Sequence, residues 1–241
     1  MAPPLLHTRR RELRDDAILA PLPRPKPARS TLQGHWVTVE PLNPARDAAD
    51  LYPLLHGDPD RERVWRYLPY GPFATFDAFA QWLEQIAPAD DPLFFAVRPS
   101  SSDRTEGMAA LMEVHPEHGS IELGHVNISP QAQNTRATTE AFYLLIDYAV
   151  AGLGYRRCEW KCHARNEDSQ RAAGRLGFSF EGTFYQHKVV KGRNRDTHWF
   201  SLLDHEWPSI AANFRRWLSP DNFDADGRQR SSLGEINRAL P

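Results

Sequence analysis

Apolar residues along the chain repeat with two different periods, and the changes of period mark out its elements. His35 to Leu42, HWVTVEPL, alternates and predicts a strand. Asn43-Pro44 turns the chain into a helix from about Ala45 to Leu55, with Ala48, Leu51 and Leu55 along one face. Gly57 to Asp60 reads as a loop, and Val64 to Tyr70 as an aromatic-rich segment broken by proline and glycine. A second helix runs from about Phe76 to Ile86, with Asp77 near its start to complement the helix dipole. Leu93 to Val97 and Met108 to Val114 are strands on either side of the polar turn Pro99 to Gly107. With the strand after the turn Pro116 to Gly119 they form an antiparallel meander.

The stretch Ile121 to Leu145 sits at the centre of this pattern. Ile121, Leu123, Val126 and Ile128 make a strand, and Pro130 ends it because proline has no N–H for a ladder. Ala141, Leu144, Leu145, Tyr148 and Ala151 then recur at helical spacing, in a helix that opens at Thr138, Thr139 and Glu140. A strand–loop–helix unit leaves free backbone N–H groups at the helix start, which suit a phosphate. An ordinary βα connection with no ligand reads the same way. Gly152 and Gly154 supply a C-cap. Arg157 to Cys162 is a strand reached by a helical crossover, hence parallel to a neighbour. Asn166 to Arg175 is a short helix stopped at Leu176-Gly177-Phe178. Phe180 to Val190 and Thr197 to Leu203 form a hairpin across the basic turn Lys191 to Asn194, and a final helix starts at Pro208 and runs to Leu218.

These boundaries divide the 241 residues into three parts. Residues 1–34 are an extension with six prolines and seven basic against three acidic residues. It wraps on the surface or is loosely held, with one short helix around Thr8 to Leu19. Residues 35–218 are the folded domain, and 219–241 a polar, irregular tail. Apolar residues make up 41%, with seven Trp and twelve Phe, enough for a sizeable core. A net charge of −2 gives no global argument for nucleic acid or membrane. No apolar run approaches the ~20 residues of a membrane span, and no signal-peptide core opens the chain, so a soluble cytoplasmic protein is expected. Cys158 and Cys162 are four residues apart on one strand face, ~13 Å at the strand rise, too far for a disulfide. Core packing beside Trp160 is their expected role, and two thiols without clustered His or Asp make no metal site.

Four segments occur in an order that resembles one family. They are Asn166-Glu-Asp-Ser169, then Leu176-Gly177-Phe178 with Glu181-Gly182, Ser129-Pro130 followed by Glu140-Ala141, and Arg195-Asp196 before Trp199 to Leu203. Together with the element order they resemble the GCN5-related N-acetyltransferases (GNAT), most of all the RimJ/RimL-like, ribosomal-protein-alanine branch. The resemblance covers about His35 to Trp207. It implies an α/β GNAT (acyl-CoA N-acyltransferase) fold, a mixed and mostly antiparallel sheet flanked by helices with a splayed central strand pair. It also implies acetyl-CoA as donor, with no metal. The pyrophosphate would meet Gln133, Asn134, Thr135, Arg136, Ala137, Thr138 and Thr139. The pantetheine arm would pair with the central strand near Asn127, Ile128 and Ser129, and Asn166 and Ser169 would complete the slot. The family loop carries two glycines, and here Asn134 and Arg136 stand in their places. Asn tolerates positive φ, and the Arg guanidinium can reach a phosphate directly.

Acyl transfer to an amine needs a base, an oxyanion donor and a donor to the leaving thiolate. Glu122 is the first candidate base and His125 the second. Strict alternation puts them on opposite faces, but the family carries a bulge in this strand. Glu159 is a third, with a salt-bridged row beside Arg157 and Lys161 as its alternative. A backbone N–H near Ile128 is the oxyanion donor. Where many relatives keep a Tyr as general acid, this chain has Ala173, so Ser169 is the donor to sulfur, with Tyr185 a lesser candidate or a packing residue. Lys188, Lys191, Arg193 and Arg195 frame an acidic acceptor, frame the CoA phosphates, or form a solvated turn. The implied acceptor is a peptide or small-molecule amine, and the chain a monomer or homodimer. A non-catalytic acyl-CoA-binding or interaction module is the alternative, on the lost glycines and Tyr.

Overall fold

The computed structural model describes residues 8–13, 15, 17, 18 and 21–239. The sheet strands are β1 (Leu32–Gln33), β2 (Val37–Pro41), β3 (Leu93–Pro99) and β4 (Gly107–His115), followed by β5 (Ser120–Ile128), β6 (Arg157–His163), β7 (Ser179–Val190) and β8 (Arg193–Leu203). They form one sheet in the order β1-β2-β3-β4-β5-β6-β8-β7. Every neighbouring pair is antiparallel except β5 and β6. The helices are α1 (Pro44–Leu55), α2 (Pro59–Glu62), α3 (Phe76–Ile86), α4 (Arg136–Asp147), α5 (Glu167–Arg175), α6 (Trp207–Leu218) and α7 (Leu233–Arg238). This is the GNAT arrangement that the resemblance implies, and the crossover through α4 makes the parallel pair.

The period-two pattern of the middle strands builds two cores. Leu93, Phe95 and Val97 of β3, with Ala109 and Leu111 of β4, pack toward Ala141 and Leu145 of α4 and Phe214 of α6. Phe94 and Ala96, with Met108 and Ala110, pack toward Leu51 and Leu55 of α1 and Phe79 and Leu83 of α3. Strands buried on both faces read as continuous apolar runs, as LFFAV does. Each large side chain so buried contributes roughly 1.5–3 kcal/mol.

Two features of the central strands position the site. β5 and β6 pair only from Ser120↔Arg157 to Glu122↔Glu159, after which the strands splay apart. β5 also carries a bulge. Its register against β4 steps from Asn127↔Met108 to Gly124↔Ala110, and His125 takes φ +49° to absorb the extra residue.

Several boundaries differ from the sequence expectation. α4 opens at Arg136, two residues early, because Thr135 is its N-cap and accepts from the Thr138 N–H at 3.2 Å. The expected loop from Gly57 to Asp60 gives way at Pro59 to α2, started by the Asp58 cap and Pro59. The tail expected to be irregular carries α7, closed by a capping box between Ser232 and Glu235, with Leu233 and Ile236 buried. The described residues between Thr8 and Ile18 form no helix; Arg14, Asp16 and Leu19 lie outside the described residues. The Arg11 guanidinium instead docks on the sheet, donating to Glu206 at 2.9 and 2.8 Å and to Glu181 at 2.9 Å. Cys158 and Cys162 are free and buried, as expected from their spacing.

Candidate active site

The splay between β5 and β6 opens a cavity of about 220 Å³. Leu123 to Val126 form one wall and Trp160 to His163 the other, and Asn166 and Ser169 at the start of α5 also line it. Tyr67 to Pro69 and the hairpin residues Lys188, Val190 and Arg195 close over it. Two long-range bonds hold this cover in place. Lys191 Nζ donates to the Trp65 carbonyl at 2.9 Å, and the Tyr67 hydroxyl donates to the Arg165 carbonyl at 2.9 Å.

Glu122 and His125 both line this cavity, since the bulge turns His125 back toward the face of Glu122. Glu122 is buried and meets Lys161 Nζ at 2.9 Å. Burial raises its pKa above the usual carboxylate value, with Lys161 opposing. Lys161 also meets Glu159 at 2.8 Å and lies 4.1 Å from the centre of the Trp199 ring. The row continues from Glu159 to Arg157 at 2.7 Å, and from Arg157 to Glu181 at 2.6 Å, where Arg11 joins it. Glu159 therefore belongs to a salt-bridged row.

His125 Nδ1 lies 2.7 Å from the Tyr70 hydroxyl, with the two rings stacked at 5.5 Å. Burial raises the Tyr70 pKa, so the phenol keeps its proton. Among the described residues His125 is its one partner. Donation from Tyr70 to Nδ1 satisfies both groups and leaves the imidazole proton on Nε2. Burial, helped by Arg195 and Lys188, holds the His125 pKa down to about 4, so the ring is neutral at pH 7.

At the start of α5, Asn166 caps the helix by accepting from the Ser169 N–H at 3.2 Å. Ser169 Oγ accepts from Trp160 Nε1 at 2.9 Å, and its own hydrogen remains to donate, with the buried Cys162 sulfur as a neighbouring acceptor. Ala173 is fully buried in the core. Tyr185 is 78% exposed, so it neither packs in the core nor reaches the cavity.

Past Glu122, the β6-facing edge of β5 has no strand partner and leads to the loop before α4. Among the described residues, the N–H groups of Gln131, Asn134, Arg136 and Ala137 meet no protein acceptor. Asn134 takes φ +61°, the left-handed turn a glycine would supply. The other loop residues are committed internally. The Gln133 N–H donates to the Ser129 carbonyl and its side chain to the Ile128 carbonyl at 3.0 Å. The Thr135 and Thr138 hydroxyls both donate to the Ala132 carbonyl, and Thr139 Oγ1 to the Thr135 carbonyl. The Arg136 guanidinium, expected to reach a phosphate, lies 4.5 Å from the centre of the Trp36 ring and 3.5 Å from that of Phe223. The side chains of Asn127 and Ser129 are buried without a partner.

Tyr70, through His125, and Lys161 belong to this site and were not singled out for it from the sequence. Tyr70 lies 55 residues from His125, and no local pattern signals such a contact. Among the described residues no group of three or more His, Cys, Asp or Glu is placed to hold a metal ion, and no helix is long and apolar enough to cross a membrane.

Residues 37–179 match the family model described as an acetyltransferase (GNAT) domain. A GCN5-related N-acetyltransferase from Brucella melitensis is 44% identical with a TM-score of 0.88, over 92% of this chain and 100% of that one. A GNAT-family protein from Chromobacterium violaceum is 41% identical with a TM-score of 0.75, over 83% of this chain and 100% of that one. The uncharacterized N-acetyltransferase p20 of Bacillus licheniformis is 24% identical over 159 residues, 66% of this chain and 89% of its own length.

Proposed function

The chain belongs to the GCN5-related N-acetyltransferase family, and on that premise we propose that it moves the acetyl group of acetyl-CoA to a primary amine by direct attack. The observation that carries this reading is the unpaired edge of β5. It lies between the free N–H groups at the start of α4 and a cavity that holds Glu122, His125 and Ser169. The donor brings an acyl group already activated as a thioester. The N–H groups of Asn134, Arg136 and Ala137 hold its pyrophosphate at the positive end of α4. Asn127 to Ser129 line the pantetheine arm as an added strand would.

Each step then falls to a residue of this chain. Glu122, made more basic by burial, takes the proton of the ammonium directly or through a water. Lys161 stays bound to Glu159 while Glu122 carries that proton. A backbone N–H near Ile128 stabilises the oxyanion. The Ser169 hydroxyl donates to the departing sulfur. His125, with its proton on Nε2, presents a donor to the cavity and positions the acceptor, which places it second to Glu122 as base. Asn134 in the left-handed conformation supports retained donor binding against the non-catalytic alternative. In the RimJ/RimL-like reading the acceptor is a protein N-terminus, and a small-molecule amine fits the same chemistry. Release of free thiol from acetyl-CoA, measured against a panel of peptides and amines, tests the proposal. Amine-dependent release supports it, and release that no amine accelerates overturns it.

A further inference from the structure

The cover of the cavity carries two cations that meet no carboxylate among the described residues. Arg195 lines the cavity from β8. The guanidiniums of Arg11, Arg46, Arg98 and Arg157 each meet a carboxylate. That of Arg195 meets none among the described residues, and its Nε is buried without an acceptor. The adjacent Asp196 is committed elsewhere, accepting from the Gln186 N–H at 2.7 Å and from Asn194 Nδ2 at 2.9 Å. Lys188 stands opposite Arg195 in the hairpin register, lines the same cavity, and also lacks an acid partner among the described residues.

The remaining cavity groups do not cancel these charges. Glu122 is matched by Lys161. Glu113 is exposed at the rim and turned toward His115, at 3.8 Å. His163 and His187 are held neutral by burial and by neighbouring cations, chiefly Arg195 and Lys188. A half-buried guanidinium with an orphaned N–H is unfavourable unless something fills its fork, and a carboxylate does so with two parallel bonds.

We propose that the acceptor is a primary amine carrying a carboxylate a few bonds away, held by Arg195 and Lys188 so that its nitrogen faces Glu122. The inference rests on the acetyl-transfer reading above. Two observations assign the anion to the acceptor rather than to the donor's phosphates. None of Ser129 to Thr139 lines this cavity, and Arg195 lines it together with Glu122 and His125, at the reacting end. The same chemistry is offered by a free amino acid and by a peptide N-terminus followed by Asp or Glu. Because the hairpin closes over the cavity through Lys191, a carboxylate on Arg195 would also fasten the cover.

The test compares kcat/KM for free α-amino acids against their amides, and for peptides with Asp or Glu at the second position against Asn or Gln. The expected result is a preference for the carboxylate of about 10- to 100-fold in at least one pair, lost in Arg195→Met and kept in Arg193→Ala at the exposed turn. Which pair shows it separates small molecule from peptide. Equal use of acid and amide, or a preference that survives Arg195→Met, overturns the inference and leaves acetyl transfer standing. A carboxylate preference shown only on the donor, succinyl-CoA over acetyl-CoA, overturns it as well. If no amine is acetylated, the acetyl-transfer reading fails, and calorimetry of the same amino acids and peptides decides the inference alone. Binding that Arg195→Met abolishes keeps the carboxylate site at Arg195 without its role as acceptor site, and absence of binding ends it.

Discussion

Replacing Glu122 by Gln keeps the shape of the side chain and removes its basicity. The surroundings allow the change, because Lys161 keeps its bond to Glu159 at 2.8 Å and is not left as an orphaned buried cation. Folding puts Glu122 in a place that raises its pKa. For such an acid the folded state is favoured below the unfolded pKa, and that advantage is lost as pH rises through the folded value. Above the unfolded value this carboxyl therefore works against folding, and at pH 7 Glu122→Gln should unfold at an equal or higher temperature than the native protein. Its turnover should fall by ~10²–10⁴, since general base catalysis is worth that much. This is about 3–5 kcal/mol of barrier. The assay is initial-rate thiol release at saturating acetyl-CoA from pH 5 to 9, with donor affinity from calorimetry. The native enzyme should show a rising acid limb set by Glu122, and the variant should lose it while binding the donor as before. A Glu122→Gln enzyme with near-native turnover across this range would refute the reasoning and move the proton to His125 or to water.

Three further outcomes follow from the same geometry. Ser169→Ala should lower turnover about tenfold or more and, by leaving Trp160 Nε1 without its acceptor, reduce stability by ~1 kcal/mol in urea denaturation; Ala173→Tyr should lower stability further without raising turnover, since Ala173 is fully buried. Because folding depresses the His125 pKa to about 4, its contribution to stability is complete above pH 6.5 and is lost as pH falls toward 4, about 3 kcal/mol in all. His125→Asn, which tolerates the same positive φ, should flatten the profile between pH 6.5 and 4, and an unchanged slope would count against this. Arg136→Ala should lower the melting temperature by removing the contacts with Trp36 and Phe223, yet leave acetyl-CoA affinity within about twofold, because its backbone N–H is kept; a tenfold loss of affinity would show the guanidinium on the phosphate.

Much of this architecture was legible because it is local. The LFFAV run announced a strand, and Phe79, Trp82, Leu83 and Ile86 announced α3 at its observed bounds. The N-x-x-S segment gave α5 its cap at Asn166, where the side chain does accept the Ser169 N–H. Other features were written locally and passed over. Ser232 and Glu235 spell a capping box, and Thr135 stands three residues before Thr138. What lay beyond reading depends on long-range register. Strand alternation alone separates Glu122 from His125; the bulge that brings them together, at φ +49°, was expected only from the family resemblance and not from the residues themselves. The tautomer of His125 is set by Tyr70, and the use of Arg136 by rings at Trp36 and Phe223, far off in sequence. The pairing of Glu122 with Lys161 needs the parallel register of β5 and β6, which spacing does not encode.

The structure of the protein with acetyl-CoA bound is the most direct measurement of the account. It should place the pyrophosphate oxygens ~2.7–3.2 Å from the N–H groups of Asn134, Arg136 and Ala137, with the pantetheine arm along the free edge of β5. The sulfur should lie within ~3.5 Å of Ser169 Oγ, or be joined to it by one water. Phosphates bound away from the start of α4, or a thioester outside the splay between β5 and β6, would contradict it.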